Sequence, residues 1–159
     1  MKSLSYLLKS YAAYHTKRST LYTHLVGVPL LVFSMMIFFS WIHFAVPPLF
    51  SIPVVWPLVI AIGVYYIRLD WQLGLGIFLG FCLLAMLANW LTFHGANLLS
   101  LWLFLVCFVL GWIIQLIGHA FEGRKPALMD NLSQVLTAPL FVVIEVLWML
   151  GYRKDLQVL

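Results

Sequence analysis

Two long stretches of the chain carry no Asp, Glu, Lys or Arg: 49 residues between Arg18 and Arg68, and 51 residues between Asp70 and Glu122. A membrane-crossing helix needs about 20 apolar residues, so each stretch has room for two helices and a short turn. The first divides at Val46-Pro47-Pro48 and Pro53, because proline lacks the N–H that a helix interior uses. That predicts spans over 25–45 and 54–67, the second reaching back towards Phe50. The other stretch divides near His94-Gly95-Ala96-Asn97, which predicts spans over 71–92 and 98–118.

The ends of the chain read differently. Over residues 2–14, Leu4, Leu7, Leu8 and Tyr11 recur at helical spacing with lysines elsewhere, the pattern of a short amphipathic helix lying at the membrane interface. Residues 132–151 are apolar enough to cross but contain Pro139 and Glu145. The N-terminal segment has neither a continuous apolar core nor a small-residue cleavage site, so a cleaved signal peptide is not expected. The expected fold is an all-α membrane protein, with residues 1–159 as one integral-membrane domain. Four transmembrane helices form two hairpins, the N-terminal helix is interfacial, and the C-terminal helix is re-entrant or a fifth crossing.

Composition strengthens this reading. The chain is 64% apolar and only 9% charged, whereas soluble domains run near 45–50% and 25%. A water-soluble monomer of this size would have to expose a large apolar patch. Twenty-six aromatic residues exclude a disordered chain, and two cysteines, Cys82 and Cys107, exclude a disulfide scaffold. The formal net charge is +4, but no basic block has the length or aromatic interleaving of a nucleic-acid surface, so no nucleic-acid partner is expected.

The basic residues instead set orientation. With the N-terminus inside and four spans, Lys2, Lys9, Lys17, Arg18, Arg68, Arg124 and Lys125 all fall on one face, and the two outer turns have none. This is the positive-inside pattern. A full crossing by 132–151 would leave Arg153 and Lys154 alone outside, which favours the re-entrant form with both termini cytoplasmic. Pro139 would mark the break in it, since irregular backbone at that depth must be buried in protein.

On this topology His43 and His94 lie at outer helix ends, where hydrogen bonding to water or a headgroup explains them. His15, His24, His119 and Glu122 gather at inner ends. His119 and Glu122 are three apart, so they share a face if the fourth span continues as helix. Such a pair is either a polar helix end or two metal ligands, as in carboxylate-bridged di-iron bundles. His15 and His24 are nine apart and would point in opposite directions on one straight helix. They converge only if the chain breaks between them. Ser19 and Thr20 are good N-cap residues for such a break, which would put His24 in the first turn of the next helix. Neutral imidazole plus carboxylate is the ligand set of non-haem Fe(II) sites with positions open to oxygen.

The same residues carry a family pattern. Tyr11-x-x-x-His15 followed by His24-x-x-Gly27-Val28-Pro29 resembles the N-terminal signature of the Mpo1-like membrane proteins. The run from Gly111-Trp112 through Gln115, Gly118-His119-Ala120-Phe121-Glu122-Gly123-Arg124-Lys125-Pro126 to Leu128 resembles that family's second signature. The tail Ala138-Pro139-Leu140-Phe141 through Glu145 to Gly151-Tyr152 is similar as well. One departure stands out: the family has Asn within H-x-N-P-x-N where this chain has Lys17 and Thr20.

The resemblance implies a membrane-embedded, Fe(II)-dependent dioxygenase that shortens 2-hydroxy fatty acids by one carbon with O2, without 2-oxoglutarate. Its membrane would be the cytoplasmic membrane in a bacterium or the endoplasmic reticulum in a eukaryote. Carried onto this chain, His15, His24 and His119 are the expected Fe(II) ligands. Glu122 is a fourth ligand or a partner that orients an imidazole. Arg124 or Lys125 pairs with the substrate carboxylate, or serves only topology and anionic lipid. Thr20, a candidate substrate-binding residue, stands where an Asn that touches substrate or orients a ligand would be. Gln115, one turn before His119, bonds the 2-hydroxyl or a neighbouring helix. The expected partners are a fatty-acid or other lipid substrate, O2 and membrane lipid, with a homo-oligomer left open. The competing class is a non-enzymatic scaffold or lipid-binding protein whose polar cluster only ties helix ends together. A di-iron hydroxylase ranks lower, because such enzymes use more histidines than the three on this face.

Overall fold

The computed structural model describes residues 3–14, 18–46, 50–93, 95–123 and 134–152. Among them are six helices and one β-hairpin. The elements are α1 (Leu4–Ala12), α2 (Arg18–Trp41), β1 (His43–Val46), β2 (Phe50–Pro53), α3 (Val55–Leu69), α4 (Trp71–Leu91), α5 (Leu98–Glu122) and α6 (Gln134–Met149). The predicted order of helices is recovered, with one short sheet added.

Three helices are long and apolar enough to cross a membrane: 23 residues from Ser19 to Trp41, 21 from Trp71 to Leu91 and 25 from Leu98 to Glu122. These make the chain a membrane protein. Many of their large side chains, including Leu83, Trp90, Leu99 and Trp102, are exposed, as lipid contact requires and water would penalise. α3 and α6 are shorter apolar helices of 15 and 16 residues.

The chain divides into two compact units, Met1–Pro29 with Leu110–Leu159 and Leu30–Val109. The division falls inside α2, at Pro29, and inside α5.

The unit 30–109 is built on two tight turns. Asp70 separates α3 from α4 by one residue and caps α4, accepting from the Gln72 and Leu73 backbone N–H groups at 3.1 and 3.0 Å. A side chain at Gly74 would collide with the backbone of Tyr66 and Ile67. Asn97 plays the same capping part for α5, where its Oδ1 accepts from Ser100 N at 2.9 Å. Trp41 closes the fold across this turn by donating from Nε1 to Ser100 Oγ at 3.1 Å. Met36, Ile37, Val55, Val59, Ala85 and Ala88 form the apolar core of this unit. Cys82 and Cys107 are free thiols, the first half-buried and the second buried.

Several sequence expectations are corrected here. The segment expected as the outer end of span one and the start of span two is an antiparallel hairpin, pairing His43 with Pro53 and Val46 with Phe50. Extended backbone suits Phe50–Pro53 because Pro53 cannot donate to a helix and biases its predecessor away from helical dihedrals. The first long helix starts at Arg18, so Ser19 and Thr20 lie inside its first turn rather than capping it, and His24 lies in the second turn. Pro139 does not break the C-terminal helix, which runs through it from Gln134 to Met149. Proline near a helix start removes one backbone bond, and the apolar packing of Leu140, Phe141 and Ile144 maintains the rest.

In the unit 1–29 with 110–159, Ser3 caps α1, its Oγ accepting from Tyr6 N at 3.3 Å. Leu4, Leu7, Leu8, Tyr11 and Ala12 are buried, as the amphipathic pattern predicts. α1 meets α6 through Gln134 Nε2 donating to Ser10 Oγ at 2.8 Å and through the Tyr11 and Phe141 rings, 4.9 Å apart.

Candidate functional site

α2 and α5 approach closely because glycine lies where they touch. A Cβ at Gly27 would meet Gln115 Cγ at 3.1 Å and Gly111 O at 3.2 Å. A Cβ at Gly118 would collide with the Thr23 side chain. Absent side chains on both helices let their backbones come together. Thr20, fully buried, exploits that approach by donating from Oγ1 across to Gly118 O at 3.2 Å.

Thr20 also organises its own helix. Its carbonyl oxygen accepts from Thr23 Oγ1 at 2.8 Å and from His24 Nδ1 at 2.8 Å. A carbonyl can only accept, so His24 Nδ1 carries the proton, and Nε2 is the ring nitrogen left for a ligand. Fixing one ring nitrogen by a backbone carbonyl is how a metal-binding imidazole is oriented.

His24 and His119 meet in this core. They are 2% and 6% exposed, and their rings stand edge to face at 5.2 Å between centroids. Tyr11 adds a third ring, 6.3 Å from His24 and edge-on to it. Burial pushes the Tyr11 phenol above its usual range, so it stays protonated. Through Tyr11 and Phe141 the ring contacts continue onto α6. One connected set of side chains thus draws on α1, α2, α5 and α6.

Of the residues expected at a site, the structure brings together Thr20, His24 and His119. Gln115 is buried one turn before His119, its side chain lying over Gly27. Glu122 is half-buried at the last residue of α5, which continues as helix through His119 as the three-residue spacing requires. His15, Lys17, Arg124 and Lys125 lie outside the described residues. His43 is exposed on β1, where its Nδ1 donates to Trp41 O at 3.1 Å.

The donor chemistry suits a metal ion in part. Two buried imidazoles from facing helices, one with its Nδ1 proton held so that Nε2 is left for ligation, are compatible with a shared ion. Among the described residues no group of three His, Cys, Asp or Glu is arranged to hold one. A complete site would therefore draw a further ligand from elsewhere, and His15 is the candidate named by the sequence.

The profile of a family described as 2-hydroxy-palmitic acid dioxygenase Mpo1-like matches residues 1–150. The chain belongs to the Mpo1-like family. Within it, a 52-residue stretch is 50% identical to 2-hydroxy-palmitic acid dioxygenase MPO1 of Saccharomyces cerevisiae, covering 31% of this chain and 30% of the yeast protein. No solved structure matches this chain.

In this Mpo1-like protein Tyr11, which the sequence shows as an apolar position on α1 and as the first residue of the Tyr11-x-x-x-His15 pattern, was not among the expected site residues, and the structure places its ring beside His24. Glu145, a carboxyl group in an apolar segment, was not given a role either, and it is buried on α6.

Proposed function

We propose that this Mpo1-like protein is an Fe(II)-dependent dioxygenase that shortens 2-hydroxy fatty acids by one carbon. The observation that carries this reading is the buried His24–His119 pair, held by Thr20, in a chain whose family is described by that substrate. His24 and His119 hold Fe(II), with His15 as third ligand. Glu122 ligates or orients. When bound, the iron supplies the activation of O2 that amino-acid side chains lack.

The protein's own groups bind, orient and exclude water. Thr20 keeps the His24 proton on Nδ1, and its hydroxyl holds the peptide next to His119 in place. Arg124 or Lys125 pairs with the substrate carboxylate. The Gln115 amide donates to the oxygen of the 2-hydroxyl. The acyl chain lies along apolar helix faces, and the surrounding rings keep the reacting end dry.

The same reading sets this site at the cytoplasmic face. α2, α3, α4 and α5 cross, α1 is interfacial and α6 is re-entrant. Two features support four crossings. The charged residues cluster between the apolar stretches, and Asp70 turns α3 directly into α4, so the chain must double back there. α3 covers about 22 Å of helix, short of the roughly 30 Å hydrocarbon core, and it crosses with the help of its flanking residues.

The test is His119→Ala beside His43→Ala, each at matched membrane protein level. Activity is loss of 2-hydroxypalmitate with appearance of the odd-chain acid, supplied with Fe(II) and O2. His119→Ala should abolish turnover and lower bound iron, while His43→Ala changes neither. Wild-type protein that binds no metal, with His119→Ala fully active, would replace the iron mechanism by a scaffold role. Wild type that binds iron but leaves the hydroxy acid untouched would overturn the substrate assignment alone.

A further inference from the structure

Glu145 is 1% exposed on α6, yet its Oε1 has no hydrogen-bond partner among the described residues. Burying a carboxyl oxygen without a donor costs on the order of 1–3 kcal/mol, more if it is ionised. Its neighbours on the helix, Phe141, Val142 and Ile144, are apolar and buried. Among the described residues no donor compensates Oε1, whereas an apolar side chain there would carry no such penalty.

Its place on α6 is informative. Glu145 is one turn beyond Phe141 on the same helix face. Phe141 lies against Tyr11 at 4.9 Å, Tyr11 against His24 at 6.3 Å, and His24 against His119 at 5.2 Å. The open oxygen thus lies one turn along from the α6 ring that packs on Tyr11, the neighbour of His24. An acceptor left open on this face is available to a donor that arrives with a ligand.

We propose that Glu145 is a specificity-determining residue that accepts a hydrogen bond from the hydroxyl of a 2-hydroxylated fatty acid, which a plain fatty acid cannot offer. This deepens the dioxygenase reading and rests on it. The hydroxyl has one hydrogen to give and an oxygen that still accepts, so Glu145 and the Gln115 amide serve different sides of the same group. A site with a buried acceptor discriminates strongly, because the unhydroxylated chain leaves that acceptor unpaired.

The experiment measures binding of 2-hydroxypalmitate and of palmitate to detergent-purified, Fe(II)-loaded protein under anaerobic conditions, so that no turnover occurs. Wild type is compared with Glu145→Gln and Glu145→Leu, with bound iron and thermal midpoint recorded for each. We expect wild type to prefer the hydroxy acid. Glu145→Leu should lose that preference by about tenfold or more, keep its affinity for palmitate and its iron, and melt at the same temperature or higher. Glu145→Gln retains an acceptor oxygen and should fall between the two. A wild-type preference that survives in Glu145→Leu overturns this assignment and leaves the dioxygenase reading standing. Loss of iron in both variants also overturns it, by making Glu145 a ligand. So does a lowered melting temperature with equal loss of both acids, which is the mark of a structural role. Equal wild-type binding of the two acids overturns the substrate reading itself.

Discussion

The His24 imidazole donates from Nδ1 to the main-chain carbonyl of Thr20 at 2.8 Å, one helical turn earlier. The same Thr20 reaches across with its hydroxyl to the carbonyl of Gly118, the residue before His119. One buried residue thus holds the His24 imidazole through its backbone and the peptide preceding His119 through its side chain. A family position that is Asn in the resembling pattern is Thr here, and its hydroxyl hydrogen is engaged within the protein.

Replacing Thr20 by Val keeps the shape and the carbonyl but removes the bond to Gly118. We expect a loss of about 1 kcal/mol in stability and a larger fall in iron affinity, as His119 loses its register against His24. Thr20→Ser should restore both. Iron content after dialysis and a thermal melt separate the two effects. Equal iron affinity in Thr20→Val would mean that the bond to Gly118 contributes only stability.

Gly118→Ala forces a methyl group into the Thr23 side chain. The helices must separate, at a cost of about 1–3 kcal/mol, and activity on 2-hydroxypalmitate should collapse with them. Gly27→Ala meets Gln115 Cγ at 3.1 Å, and that flexible side chain can yield, so its effect should be smaller. Thermal midpoints and turnover of the two variants, ranked against wild type, check the order. A Gly118→Ala protein as stable and active as wild type would remove the close approach of α2 and α5 from the account of the site.

Both termini are expected in the cytoplasm, because every basic residue then faces inwards. A Leu159→Cys variant treated with a membrane-impermeant thiol reagent should stay unlabelled in intact cells or sealed vesicles of native orientation, and react after permeabilisation. Cys82 and Cys107 are already present, so a Leu159 variant lacking both is the sharper probe. Strong outside labelling would make α6 a full crossing.

Much of the helix order was legible before any coordinates. α4 begins and ends within a residue of its expectation, and α5 begins on it, because Asp70 and Asn97 sit where charge or cap chemistry interrupts the apolar runs. The hairpin at 43–53 was less legible. Its apolar residues look the same in a strand as in a helix, and periodicity cannot separate the two over such short runs. The start of α2 was missed for a related reason. Thr20 has the chemistry of a cap, but its hydroxyl found a stronger claim in a carbonyl distant in sequence.

The sequence by itself determined that the chain enters a membrane and where α4 and α5 begin, and it led to the expectation that His15, His24 and His119 gather at one set of helix ends. Those are consequences of hydropathy, proline and charge, which act residue by residue. Only the tertiary structure decided that His24 and His119 stand edge to face, that Thr20 serves both, and that Glu145 is buried with an open oxygen. These depend on how closely two backbones approach at Gly27 and Gly118, and on which face of α6 turns towards Tyr11. Such distances arise from side-chain volumes on different helices meeting one another, and no local pattern along the chain encodes them.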